Sequence, residues 1–151
     1  MPPTPKRKGA KAPPSGERGA AEAGAVLAPT SWGNLVDRIS ILDIKCQRIR
    51  DPEAAGRAAR ERDALQAIRD RELQANPGID KLAEALLAVN QRLWEIEDAI
   101  RDCERAQDFG PGFIELARSI YQLNDERARI KAKIDAAAGS AFTDVKQYAR
   151  Y

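Results

Sequence analysis

Leu82, Leu86, Val89, Leu93, Ile96, Ile100 and Cys103 recur at alternating steps of four and three, the spacing that lines one face of an α-helix. After a Gly-Pro break, Leu116, Ile120, Leu123, Arg127, Ile130 and Ile134 repeat the same rhythm. Two stripes of this length joined by a short break predict an antiparallel helical hairpin whose seams face each other. The third helix is expected from about Ile79 to Ala106 and the fourth from about Pro111 to Ala138. Phe109-Gly110-Pro111-Gly112 forms the turn between them, and Gly139-Ser140 closes the second rod.

Upstream, Pro29-Thr30-Ser31 supplies a stop and an N-cap for a first helix from about Trp32 to Arg50. Its main stripe is Leu35, Ile39, Leu42, Cys46 and Ile49. Ile41 and Ile44 lie well off that stripe, so this helix packs on two partners and exposes little of its circumference. Asp51-Pro52-Glu53 starts a second helix, expected to reach about Asn76, with cap, first-turn proline and first-turn acid in order. Its seam is thin, only Ala54, Ala58, Leu65 and Ile68, so it should be the least firmly held. Phe142, Val145, Tyr148 and Tyr151, spaced three apart, suggest a short strap laid back over the bundle.

The fold class is therefore all-α: an antiparallel bundle built on a long hairpin, as one domain over residues 29–151. Residues 1–28 are rich in Pro, Gly, Ala and Lys without apolar periodicity, and cannot bury enough surface to offset the entropy of ordering. They read as a disordered tail.

Composition narrows the function. Charged residues make up 32% and aromatics 5%, the profile of long exposed helices, and no run approaches the roughly 18 apolar residues of a membrane span. No membrane association is expected. The cytoplasm is the default location, because the basic start lacks the apolar stretch of a secretory signal. In the tail, Lys6, Arg7, Lys8, Lys11 and Arg18 outweigh Glu17 and Glu22 by +3, so of the net +2 the remainder carries −1. A near-neutral folded part argues against a primary nucleic-acid reader, although the basic tail can hold a polyanion weakly.

There is no histidine, which removes Ser-His-Asp and Cys-His catalysis and the usual zinc sites; no metal or cofactor is predicted. Cys46 and Cys103 continue apolar stripes and read as inert core thiols. Asp108-Phe109-Gly110 matches a kinase triplet by chance, since no Gly-rich phosphate loop accompanies it.

Candidate chemistry sits at the exceptions to the stripes. Asn90, Trp94, Glu97 and Arg101 form one row beside the first seam. Tyr121, Asn124 and Lys131 flank the second, with Arg118 and Asp125 one step further round. Glu97, Arg101, Arg118, Tyr121 and Asp125 can then line a polar groove, closed by Asp37 or Lys45 of the first helix. The same residues also suit a network of surface ion pairs. Arg127 interrupts an apolar seam, so it must snorkel outward or meet a carboxylate, for which Glu97 and Asp98 are the nearby candidates. A polar seam residue can fix register and partner number, or hold an anion by two parallel hydrogen bonds.

Several stretches together resemble a family of small helical bacterial proteins catalogued as a domain of unknown function. The resemblance rests on Leu35-Val36-Asp37-Arg38-Ile39-Ser40-Ile41-Leu42-Asp43-Ile44-Lys45, on Asn90 with Leu93-Trp94-Glu95-Ile96-Glu97-Asp98, and on Phe113-Ile114-Glu115-Leu116-Ala117-Arg118 with Tyr121, Asn124-Asp125 and Arg127. Gly139-Ser140, Lys146 and Tyr148 complete it. It implies a link to surface-polysaccharide or glycosyltransferase pathways without naming an activity.

The leading expectation is a non-enzymatic interaction or assembly module, in a bacterial cytoplasmic pathway that the resemblance ties to cell-surface glycan synthesis. Its partner would be another protein or a second copy, and an exposed Ile41 or Ile44 would favour a homodimer. The alternative is a small helical enzyme or anion-binding protein that takes a phosphate- or carboxylate-bearing metabolite through the Arg/Glu/Tyr groove, by analogy with all-helical mutases of dicarboxylates.

Overall fold

The computed structural model describes residues 24–146. Four helices follow in chain order: α1 (Trp32–Arg48), α2 (Pro52–Glu72), α3 (Pro77–Ala106) and α4 (Pro111–Ala138). The described residues hold no strand, and no helix among them is long and apolar enough to cross a membrane. The expected tail lies outside the described residues over 1–23, and residues 25–31 form no regular element.

Each helix begins where its local chemistry places it. The side chain of Ser31 accepts from the Asn34 N–H, and that of Asp51 accepts from the N–H groups of Glu53 and Ala54. These caps satisfy donors that a first helical turn otherwise leaves orphaned. α2 is shorter than expected, ending at Glu72 rather than near Asn76. Asn76 is extended and serves as the N-cap of α3, accepting from the Gly78 N–H, while Leu73 leaves the helix to pack on the core. Pro77 then fits the first position of α3, where a missing N–H costs nothing. The left-handed Gln107 ends α3, and the left-handed Gly139 ends α4.

α3 and α4 form the hairpin and meet along their predicted seams. Leu86, Val89, Leu123, Ile130 and Ile134 are buried with Val36 of α1 and Ile79, and Leu82, Leu93 and Ile96 pack against them half-buried. Fully burying a side chain of this kind contributes about 1.5–3 kcal/mol, so this cluster anchors the fold.

α1 packs on α2, α3 and α4, whereas α2 makes its helix contacts with α1. Both sides of α1 are consequently dry. Leu35, Ile39 and Leu42 of the main stripe are buried, and so is Ile44 on the far side, at 2% exposure. Ile44 is thus unable to mediate a dimer as an exposed residue, because the hairpin already covers it. Ala58 is the buried residue of α2. Paired charges add to its attachment: Arg38 donates to Glu61 from two nitrogens (2.7 and 3.0 Å), and Arg69 pairs with Asp80 at 2.7 Å.

The hairpin outruns its clamp. At a rise of about 1.5 Å per residue α1 is roughly half as long as α3, and its last turn is level with Glu95, to which Arg48 is paired at 3.1 Å. Beyond that level Ile100, Cys103, Leu116 and Ile120 remain only half-buried, since two helices alone cannot enclose a seam. At the tip Phe113 meets Phe109 edge-on at 5.3 Å, and Phe109 stays 47% exposed.

Candidate functional site

Three helices meet at a polar cluster inside the bundle. Asp37 on α1 is 5% exposed. Arg127 on α4 donates to it from Nε at 2.8 Å and from a terminal nitrogen to the second carboxylate oxygen. Asn90 on α3 donates to Asp37 Oδ1 at 2.9 Å and to Ser40 Oγ at 2.7 Å, and the Ser40 hydroxyl donates to the Asp37 carbonyl at 2.8 Å. The hydrogen-bonded carboxylate holds the Arg127 guanidinium above its ordinary pKa, against the opposing effect of burial.

The arginine in the seam therefore meets a carboxylate, but it is Asp37 rather than Glu97 or Asp98. Arg127 sits in the middle of the apolar stripe that faces α1, so α1 supplies the partner. Glu97 is already engaged, accepting at 3.1 Å from Arg101, four residues on along the same helix.

Where α1 ends, a groove of about 420 Å³ opens beside this cluster. Ile41 and Ile44 form one wall, the row Asn90, Trp94, Glu97 and Arg101 with Leu93 and Asp98 another, and Asn124 and Arg127 the third. All four members of the row predicted on α3 thus share one wall.

Four predicted residues stand elsewhere. At about 100° per residue, Arg118 and Asp125 lie roughly opposite Arg127 on α4, and Tyr121 is a third of a turn away. They are absent from the groove lining. Arg118 and Tyr121 are exposed and share a side-chain hydrogen bond, with Glu115 3.8 Å from the arginine. Asp125 is half-buried. Lys45 is close enough to α2 that its charge helps to lower the Glu61 pKa, after the larger effect of the Arg38 hydrogen bond.

A second polar cluster, not anticipated from the sequence, joins the start of α1 to the end of α4. Asp135, 1% exposed, accepts from the Gly33 N–H at 2.6 Å and from the Ser140 hydroxyl at 3.0 Å, and Ser140 Oγ in turn accepts from the Trp32 N–H at 2.8 Å. A carboxylate on the first N–H groups of a helix complements its dipole. Glycine is required at position 33, because a Cβ there would stand 2.5 Å from the Lys131 carbonyl oxygen. Lys131 is itself buried and pairs at 2.7 Å with Asp144 of the strap. The visible signals were Gly33 two residues after the Ser31 cap and Ser140 after the closing glycine.

Among the described residues of the strap, the contacts to the bundle are polar rather than apolar. Phe142 and Val145 are 55% and 89% exposed, whereas Asp144 and Ser140 carry the bonds just described. Tyr148 and Tyr151 lie outside the described residues.

An all-α hairpin clamped by one shorter, largely buried helix, with an open groove beside the clamp's end, is the class of protein these features define. A model of a family of unknown function, DUF6165, matches residues 28–150, and the chain belongs to that family, in keeping with the resemblance to a domain of unknown function. No curated protein and no solved structure matches the chain.

Proposed function

We propose that this protein is a non-enzymatic interaction module that docks a partner protein on the outer half of the α3–α4 hairpin. The observation that carries this reading is the mismatch in length: α1 stops level with Glu95, and past it Ile100, Cys103, Leu116 and Ile120 remain half-buried. Trp94 stands at the entrance to that half. An apolar stripe at helical spacing, open on one side and flanked by charge, suits an amphipathic helix laid along it. The pathway that the resemblance implies, cell-surface glycan synthesis in a bacterial cytoplasm, belongs to this proposal.

The geometry favours docking over a small-metabolite anion site. Arg127 spends its two inner donors on Asp37, and Arg101 is paired with Glu97. An anion entering the groove would have to compete with carboxylates already bonded there.

Amide exchange of the full chain tests the reading, with and without three 18-residue model amphipathic helices whose polar faces are basic, neutral and acidic. Protection of residues 96–120 by any of them supports docking. Unchanged exchange there with all three overturns it.

A further inference from the structure

The docking surface carries a pronounced charge. Residues 94–121 contain seven acids against Arg101, Arg105 and Arg118, and Arg48 of α1 pairs with Glu95, which leaves a balance of −3 in a chain whose total is +2. The three arginines are each matched locally: Arg101 to Glu97, Arg105 to Asp102 and Arg118 to Glu115. Among the described residues Asp98 has no ion-pair partner, and it is exposed on the groove wall. Trp94, one helical turn earlier on the same wall, is half-buried and lines the groove. Side chains four apart on a helix are neighbours, with Cβ atoms about 5–6 Å from one another.

Resting on the docking reading above, we infer that the partner is basic: an amphipathic helix whose apolar face covers the outer seam and whose arginine or lysine sits between the Trp94 indole and the Asp98 carboxylate. Charge decides between this occupant and a second copy. Two outer halves of −3 brought face to face would repel over a Debye length of about 8 Å, whereas a basic helix is drawn in. The local chemistry agrees, since a cation over an indole face beside a carboxylate is favourable on both counts. Ile41 and Leu93, both half-buried, give the stem of a long basic side chain an apolar floor.

Fluorescence anisotropy of the same three labelled helices with the full chain tests the inference. The basic helix should bind about tenfold more tightly than the neutral one at low salt, with that advantage shrinking as salt rises. Asp98→Asn, at an exposed position, should erase most of the advantage while leaving the melting temperature unchanged. Trp94→Leu keeps an apolar side chain in the wall and should weaken the basic helix more than the neutral one. If the neutral helix binds as tightly as the basic one and protects residues 96–120, docking stands and the basic partner is wrong. Binding of the basic helix that is indifferent to salt and to Asp98→Asn also overturns it, and if no helix binds, both readings fall.

Discussion

Asp37 on α1 and Arg127 on α4, 90 residues apart in the chain, form a two-pronged ion pair that ties the clamp helix to the hairpin. Asn90 of α3 bonds to the same carboxylate, so one buried side chain sets the relative position of three helices.

Removing one partner of this pair should be costly. Asp37→Ala leaves a guanidinium that is only 27% exposed without its counter-charge, and should lower the unfolding free energy by about 3 kcal/mol. The double replacement Asp37→Leu with Arg127→Met should recover most of that loss, because no stranded charge remains. Urea unfolding of the three proteins checks this; a single substitution that costs under about 1 kcal/mol would mean the pair is not the link described.

Two glycines should respond with opposite signs. Gly33→Ala drives a methyl against the Lys131 carbonyl, a backbone atom that cannot step aside, and should destabilise by about 2–3 kcal/mol. Gly56→Ala, in α2 with nothing within 4 Å of the new methyl, should stabilise by about 0.5–1 kcal/mol. Melting temperatures of the two variants give the comparison directly.

The strap should loosen in acid. The Lys131 hydrogen bond holds the Asp144 carboxyl below the ordinary aspartate pKa. A depressed carboxylate contributes stability that is complete above its unfolded pKa and is lost as pH falls through the folded value, so the window lies below about pH 4. Amide signals of residues 140–146 should shift there in the parent protein and not in Asp144→Asn. That variant should cost only about 1 kcal/mol at neutral pH, since the Asp144 side chain is 42% exposed and solvent screens the pair.

Much of this architecture was legible because helix periodicity and caps are local. The bounds of α4 and the Ser31, Asp51 and Gly139 caps follow from spacing and residue type alone. That Arg127 must either reach solvent or meet a carboxylate was also legible, since desolvation demands one of the two. Which carboxylate was not: the choice of Asp37 over Glu97 depends on how α1 lies across the seam, a relation between segments that periodicity does not encode. That α1 packs on more than one partner was legible from Ile44 lying off its main stripe, but that the hairpin would cover Ile44 and so remove it from any dimer surface was not. Arg118, Tyr121 and Asp125 were candidates for the groove or for a surface ion-pair network because flanking rows in an antiparallel pair can face either way, and here none of the three lines the groove. The Asp135–Gly33 contact required knowing that the beginning of α1 meets the end of α4.

The hairpin is clamped at one end and open at the other. Residue-resolved amide exchange on the full chain alone measures this most directly. Around Leu86, Val89, Leu123, Ile130 and Ile134 the amides should be the slowest in the protein, while those from Ile100 to Ile120 should exchange roughly a hundredfold faster through local opening. Equal protection along both rods would contradict it, because an outer half as firmly closed as the inner would leave no seam for a partner to cover.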